Sequence, residues 1–379
     1  MSNHNNTTIH NADDEASSSS QSIYFIRHAH KQDLKQPFDD PEHGAKYWSR
    51  PCDTPLSEEG THMADDLGTY FCQHPHPKID TLLVSPALRC LQTAKPISEA
   101  CAVAGRTTTT AAAAAVALPM NIEEGLYDVP IGSLLSTASS MEKTNSTTTT
   151  TTKPPNAAAW DYPSLPFPSL TERKCYFTNI NTQYHSKISV ETCEESQYEN
   201  TKEDHHEFYQ QELQAYVSRA SRTIERIVKD FPQDNLCIVT HGAHIPIMLA
   251  TLLQLDMQTT CGTHLGGAMA HMASITRIYR KKETTTDGSW GPWQIDPALA
   301  NSVQHLTQHQ DLLRHKGLPQ YGGNPDKLKL YMSILTKEMM KSPWLLKNTN
   351  KKNNATDTTT PDTETPDGGD FFGVNKSKM

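Results

Sequence analysis

Three short apolar runs constrain this chain more than any other feature: SIYFIR at residues 22–27, TLLVS at 81–85 and NLCIVT at 235–240. None alternates cleanly between apolar and polar, so each reads as a strand buried on both faces. Each gives way to a polar residue and then to a helical pattern, as parallel strands joined by helical crossovers do. Helices are expected over 57–72, opened by Ser57-Glu58-Glu59-Gly60, over 87–104, and over 206–230. In the last of these Leu213, Val217, Ile224 and Ile227/Val228 share a face, and Pro232 follows the end. Residues 270–280 (AHMASITRIYR) alternate well enough for one more strand near an edge. The expected fold is α/β: a three-layer sandwich with a mostly parallel sheet flanked by helices, its ligands at the carboxyl ends of the strands.

Only part of the chain is built to pack. Apolar residues make up 36% of the 379, and the deficit lies in recognisable polar tracts. Residues 1–20 and 350–379 read as disordered tails, 136–156 as a threonine-rich insert closed by Lys153-Pro154-Pro155, and the Thr/Ala run 107–115 resembles that insert. The expected organisation is one domain over 21–280 carrying the insert, then an extension over 281–349 that is partly helical near 327–346 and includes Trp290 and Trp293. A net charge of -9 with both signs interspersed argues against direct contact with nucleic acid. No apolar stretch approaches the roughly 20 residues that span a bilayer, so neither export nor membrane attachment is expected. Eight cysteines without a C-x-x-C pair fit reduced thiols in cytoplasm or nucleus.

Chemistry is concentrated at the strand ends. Arg27-His28 follows the first run. An imidazole nitrogen is a competent nucleophile near neutrality, and an adjacent guanidinium clamps a phosphoryl group and disperses its charge. Arg89, in Ser85-Pro86-Ala87-Leu88-Arg89, lies in the first turn of a helix, where the dipole also favours anions. His241 follows the third run, and Gly242 beside it permits close backbone approach. Taken singly, each has an ordinary structural explanation; three strand ends with phosphate-compatible groups point to phosphoryl transfer. The histidine pairs 28/30, 74/76 and 241/244 lack carboxylate and cysteine partners at ligand spacing, so no metal and no cofactor are expected.

These segments resemble the R-H-G, S-P-x-x-R-x-x-x-T-A and (S/T)-H-G motifs of the histidine phosphatase, or phosphoglycerate-mutase-like, superfamily. Asp53-Thr54-Pro55-Leu56-Ser57-Glu58-Glu59-Gly60 resembles its D-x-P-L-(S/T)-x-x-G turn. A closer likeness is to the eukaryotic branch with the suppressor-of-T-cell-receptor-signalling phosphatases and a fungal transcription-factor-tau subunit. It rests on Arg27-His28-Ala29-His30-Lys31-Gln32-Asp33, on Ile122-Glu123-Glu124-Gly125-Leu126-Tyr127, on Asn179-Ile180-Asn181-Thr182-Gln183-Tyr184, and on His206-Glu207-Phe208-Tyr209. The resemblance implies His28 as the nucleophile that becomes phosphohistidine, with Arg27, Arg89 and His241 holding the phosphoryl oxygens. It implies Glu123 as the proton donor, with Glu124 as the alternative, and Lys31 as added positive charge at the rim. Ala29 replaces the usual glycine, and His30 an acidic residue.

The implied activity is that of a histidine acid phosphatase-like phosphomonoester hydrolase acting on a phosphorylated small molecule or a phosphoprotein. Nothing in 129–205 resembles a mutase lid, so hydrolysis is expected over mutase chemistry. The rival from another class is an idle family member serving as a protein-interaction or transcription-complex subunit with protein partners.

Overall fold

In the computed structural model the described residues are 20–32, 53–74, 77–104, 117–128, 169–189, 205–256, 259–265, 269–283 and 289–306. The expected tails, apart from Ser20, which begins the first strand, lie outside them, as do the tracts at 107–115 and 136–156 and the helix near 327–346. In chain order the elements are β1 (Ser20–Arg27), α1 (Glu58–Gln73), β2 (Thr81–Val84), α2 (Leu88–Ala104), β3 (Met120–Ile122), α3 (Leu170–Lys174), α4 (His205–Asp230), β4 (Leu236–Thr240), α5 (His244–Leu253), β5 (Ile275–Lys281) and β6 (Gln294–Ile295).

The strands form one six-stranded sheet in the order β3-β2-β4-β1-β5-β6. β3, β2, β4 and β1 run parallel, while β5 joins β1 and β6 joins β5 antiparallel. Because side chains alternate along a strand, the apolar runs feed two cores at once. Tyr24, Ile26, Leu82, Val84, Cys237 and Val239 face Met63, Leu67 and Phe71 of α1 and Leu91 and Ile97 of α2. Ile23, Phe25, Leu83, Leu236 and Ile238 face Ile224 and Ile227 of α4 and Ile245, Met248 and Leu249 of α5. The result is the three-layer α/β sandwich expected from the sequence.

Register fixes where function can sit. Arg27 lies opposite Thr240, and Val84 lies opposite both Val239 and Ile122. The residues that follow β1, β2, β3 and β4 therefore emerge side by side along one edge of the sheet.

The D-x-P-L-S-x-x-G turn braces that edge. Asp53 Oδ1 accepts from the Leu88 amide at 2.6 Å, which caps α2, and Ser57 Oγ accepts from the Gly60 amide at 3.1 Å, which caps α1. The buried Arg173 guanidinium stands 3.5 Å from the other Asp53 oxygen. Gly60 passes so close to the His30 carbonyl that a Cβ there would stand 1.9 Å from its oxygen.

Two short strands escape the apolar pattern. β3 has three residues and β6 has two, too few to show any period. The strand expected over 270–280 begins only at Ile275. Upstream, Ala273 takes a φ of 53° and its amide donates to the His28 carbonyl, so 271–274 form a turn beneath the site. β5 is one strand in from the edge. Residues 289–306 pack on it, with Ser302 bridging Ile275 and Leu306 buried in the core. Gly60→Ala should cost about 3 kcal/mol, seen as a melting temperature lowered by roughly 5–10 °C; unaltered melting would show that the α1–His30 contact is slack.

Candidate active site

His28 is only 3% exposed, and its Nδ1 lies 2.8 Å from the Ala29 carbonyl oxygen. A carbonyl only accepts, so Nδ1 carries the hydrogen and Nε2 keeps its lone pair. Ala29 is itself held, because its amide donates to Thr93 Oγ1 at 3.1 Å while Thr93 donates to the Arg89 carbonyl at 2.7 Å. Burial, then the guanidinium charges of Arg89 and Arg27, hold the His28 pKa well below the ordinary histidine value. The imidazole is therefore neutral and nucleophilic at and below neutral pH.

Around it the structure gathers the other expected phosphate-binding groups. The His241 ring stands edge-on to His28 with centroids 5.3 Å apart. Arg89 Nη2 lies 3.2 Å from His241 Nδ1, and His241 Nε2 lies 2.8 Å from Ser85 Oγ. Since the guanidinium only donates, Nδ1 accepts and Nε2–H points to Ser85. Burial, followed by the charge of Arg89, keeps His241 uncharged as well. Arg27 donates from Nη1 to the Ala270 carbonyl at 2.6 Å. Gly242 makes room for it: a Cβ at that position would lie 2.9 Å from the guanidinium. Lys31 is half-buried and pairs through its backbone with Leu56, and its charge adds, after those of Arg89 and Arg27, to the lowering at His28. His30 is buried, with Nδ1 2.8 Å from Ser57 Oγ, so it braces the start of α1.

The glutamate expected as proton donor sits elsewhere. Glu123 is fully buried, and its carboxylate lies within hydrogen-bonding distance of the amides of Gly125, Lys187 and Ile188 and the hydroxyls of Tyr184 and Ser186 at 2.7–3.2 Å. It ties the turn after β3 to residues 184–188. Glu124 is half-buried, and its amide donates to Ser186 Oγ at 2.9 Å. The carboxylate among the phosphate-binding groups is Asp128, 21% exposed, with Oδ2 at 3.5 Å from both Arg89 Nη2 and His241 Nδ1. Sequence reasoning passed over it, although it directly follows the quoted Ile122–Tyr127 segment. Ser85 was likewise quoted within a motif without a role.

A further buried histidine adjoins the site. His244 Nδ1 lies 2.7 Å from the Tyr216 hydroxyl, and burial, then Arg219, drives its pKa well below the ordinary value. His28, His241 and His244 therefore bind a proton readily only in the unfolded chain. The stability due to their neutral state is fully present above about pH 6.5 and falls as the pH drops, by up to about 1.4 kcal/mol per pH unit for each histidine. Denaturant unfolding at pH 7.5 and 5.5 should show the loss, and His244→Asn should flatten the slope by roughly one proton; an unaltered slope would contradict the buried neutral state.

A sequence model of the histidine phosphatase superfamily (branch 1) matches residues 23–110 and 157–290. No curated protein matches the chain. Among solved structures, the ecdysone phosphate phosphatase of Bombix mori, in complex with tungstate, is 15% identical, with 73% of this chain and 92% of that chain covered and a TM-score of 0.42. A mycobacterial glucosyl-3-phosphoglycerate phosphatase is 15% identical over 73% of this chain and 97% of its own, at a TM-score of 0.37. A phosphoglycerate mutase from Bacillus anthracis is 14% identical over 77% and 99%, at 0.38. The family match spans more than half of the sequence and takes in Arg27, His28, Arg89 and His241; the chain belongs to the histidine phosphatase superfamily, whose chemistry is of the phosphatase or mutase type.

Proposed function

We propose that the protein is a phosphomonoester hydrolase working through a phosphohistidine on His28. The observation that carries this reading is the neutral imidazole, its Nδ1 committed to the Ala29 carbonyl and its remaining nitrogen free among the groups of Arg27, Arg89 and His241.

The substrate phosphoryl group docks with its oxygens on the two guanidinium groups and on His241; as Arg89 turns from His241 onto the phosphoryl group, the His241 hydrogen shifts to Nδ1 to donate to it, and Nε2 accepts from Ser85. His28 Nε2 attacks phosphorus, the P–O ester bond breaks, and the electron pair leaves on the alcohol oxygen. Asp128 gives that oxygen a proton. A water then attacks the phosphorus of the N–P bond and passes its proton to the Asp128 carboxylate. The N–P electrons return to Nε2, and inorganic phosphate departs. We assign the acid and base roles to Asp128 and leave Glu123 a structural one, because Asp128 adjoins Arg89 and His241 while the Glu123 carboxylate is enclosed by donors.

Retention of His28, Arg27, Arg89, His241 and a carboxylate favours an enzyme over an idle subunit. The core is compatible with a phosphorylated small molecule or a phosphoprotein as substrate and with protein partners; the interspersed charge argues against nucleic acid, the absence of a long apolar stretch against a membrane, and the cysteine pattern fits cytoplasm or nucleus.

His28→Ala should abolish hydrolysis of p-nitrophenyl phosphate and the acid-labile phosphoenzyme trapped from it, while the melting curve stays cooperative; full turnover in that variant would end the nucleophile assignment. Asp128→Asn should lower kcat on an alkyl phosphate by about 10²–10⁴ and much less on p-nitrophenyl phosphate, whose leaving group needs little protonation. The matched Glu123→Gln variant should lose stability without that leaving-group dependence, as a melting curve and the two substrates together would reveal.

A further inference from the structure

Helix α4 does more than cover the sheet. Its residues 216, 219 and 223 share one face by helical spacing, and the first two of them hold the loop that carries Asp128. Arg219 Nη2 donates to the Tyr127 carbonyl at 2.6 Å. The Tyr216 hydroxyl lies 3.5 Å from Asp128 Oδ1 and 2.7 Å from His244 Nδ1. His244 Nε2 in turn lies 3.4 Å from the Gly125 carbonyl.

The polarity of this chain is set from its far end. The Gly125 carbonyl only accepts, so His244 carries its hydrogen on Nε2, and Nδ1 must accept from Tyr216. A hydroxyl has one hydrogen to give. With that hydrogen turned to His244, Tyr216 presents oxygen lone pairs to Asp128 Oδ1. A carboxyl with its proton on Oδ1 finds an acceptor there; a bare carboxylate meets lone pairs. The Oδ2 atom faces a different set, Arg89 Nη2 and His241 Nδ1, each at 3.5 Å. The Tyr216 contact is long for a hydrogen bond, as catalytic contacts often are before substrate closes the site.

We propose that Tyr216, kept as a donor by His244, is a positioning residue that turns its oxygen lone pairs toward Asp128 Oδ1 and so holds Asp128 in the carboxyl form from which the leaving oxygen takes its proton. This rests on Asp128 being the proton donor proposed above. Neither Tyr216 nor His244 touches the reacting atoms. Their influence passes through the carboxyl, and it matters only in the step where the leaving oxygen needs a proton.

Steady-state kinetics of the full chain on p-nitrophenyl phosphate and on a simple alkyl phosphate test the assignment. Tyr216→Phe removes the hydroxyl at nearly constant volume and should lower kcat on the alkyl phosphate about tenfold, the worth of one hydrogen bond, with little effect on the aryl ester and an unchanged KM. His244→Leu frees the Tyr216 hydrogen to turn onto Asp128 and should give the same split. His244→Asn keeps an acceptor near the Nδ1 position and should recover most of the alkyl phosphate turnover relative to the leucine variant. Equal losses on both esters, no loss in Tyr216→Phe, or an asparagine variant as impaired as the leucine one would each overturn the proposal. Asp128→Asn separates the two levels. If it hydrolyses the alkyl phosphate normally, the proton-donor reading falls; if it is impaired while the Tyr216 and His244 variants are not, only the positioning role falls.

Discussion

The hydrogen bond from His28 Nδ1 to the Ala29 carbonyl decides what the rest of the site can do. It commits one imidazole nitrogen to the backbone and leaves the other with its lone pair. The carbonyl belongs to the residue after the histidine, so chain direction at the end of β1 sets the tautomer without any second side chain. Two guanidinium groups and burial then keep the ring uncharged. The same positive charge that suppresses protonation of His28 would attract the phosphoryl group that the proposed reaction brings to it. Binding and nucleophile activation are one electrostatic arrangement, and weakening either arginine weakens both.

That arrangement depends on strand register. Arg27 is level with Thr240 across β1 and β4, and Val84 with Val239 across β2 and β4, so His28, Ser85 and His241 emerge at one height. A one-residue slip would turn the apolar run of the slipped strand inside out and carry its site residue to the opposite face of the sheet. The packing of two cores against alternate side chains therefore also enforces the catalytic geometry. Stability and function are read from the same alternation.

Sequence made the strand-end groups legible because each lies within a few residues of a strong apolar run and the sheet needs no further information to align them. The carboxylate beside Arg89 and His241 was less legible. Acidic residues at 123, 124 and 128 lie in one short segment, and the tight turn at Glu124–Leu126 rotates the chain between them in a way that no helix or strand period describes. Glu123 also sits in the stretch that matches a motif, but its partners, Tyr184 to Ile188, are about sixty residues away. The Asn179–Tyr184 motif proves to be the other half of that contact: Asn181 Nδ2 donates to Asn121 Oδ1 at 2.7 Å, and the Tyr184 hydroxyl to Glu123 at 2.7 Å. Two segments that looked like independent signatures are one structural joint. Tyr216 drew no notice, and His244 only as half of a histidine pair, for the same reason: their contact exists only once α4 and α5 are side by side.

The joint also explains how a long polar stretch can follow directly after a residue of the active site. Asp128 ends the described segment, and the chain is next described at Ser169, which caps α3. Everything that fixes Asp128 in the described structure comes from elsewhere: the Glu123 network before it, Arg219 on the Tyr127 carbonyl, and Tyr216, Arg89 and His241 around its carboxyl. None of those anchors lies within 129–168. Loop length adds to the entropy of closure only slowly, about 0.6 kcal/mol per doubling, so a long insertion at this point costs the fold little. Among the described residues, the contacts that hold the carboxyl are made by segments far from it in the chain, so the sheet and α4 are what bring Asp128 to Arg89 and His241.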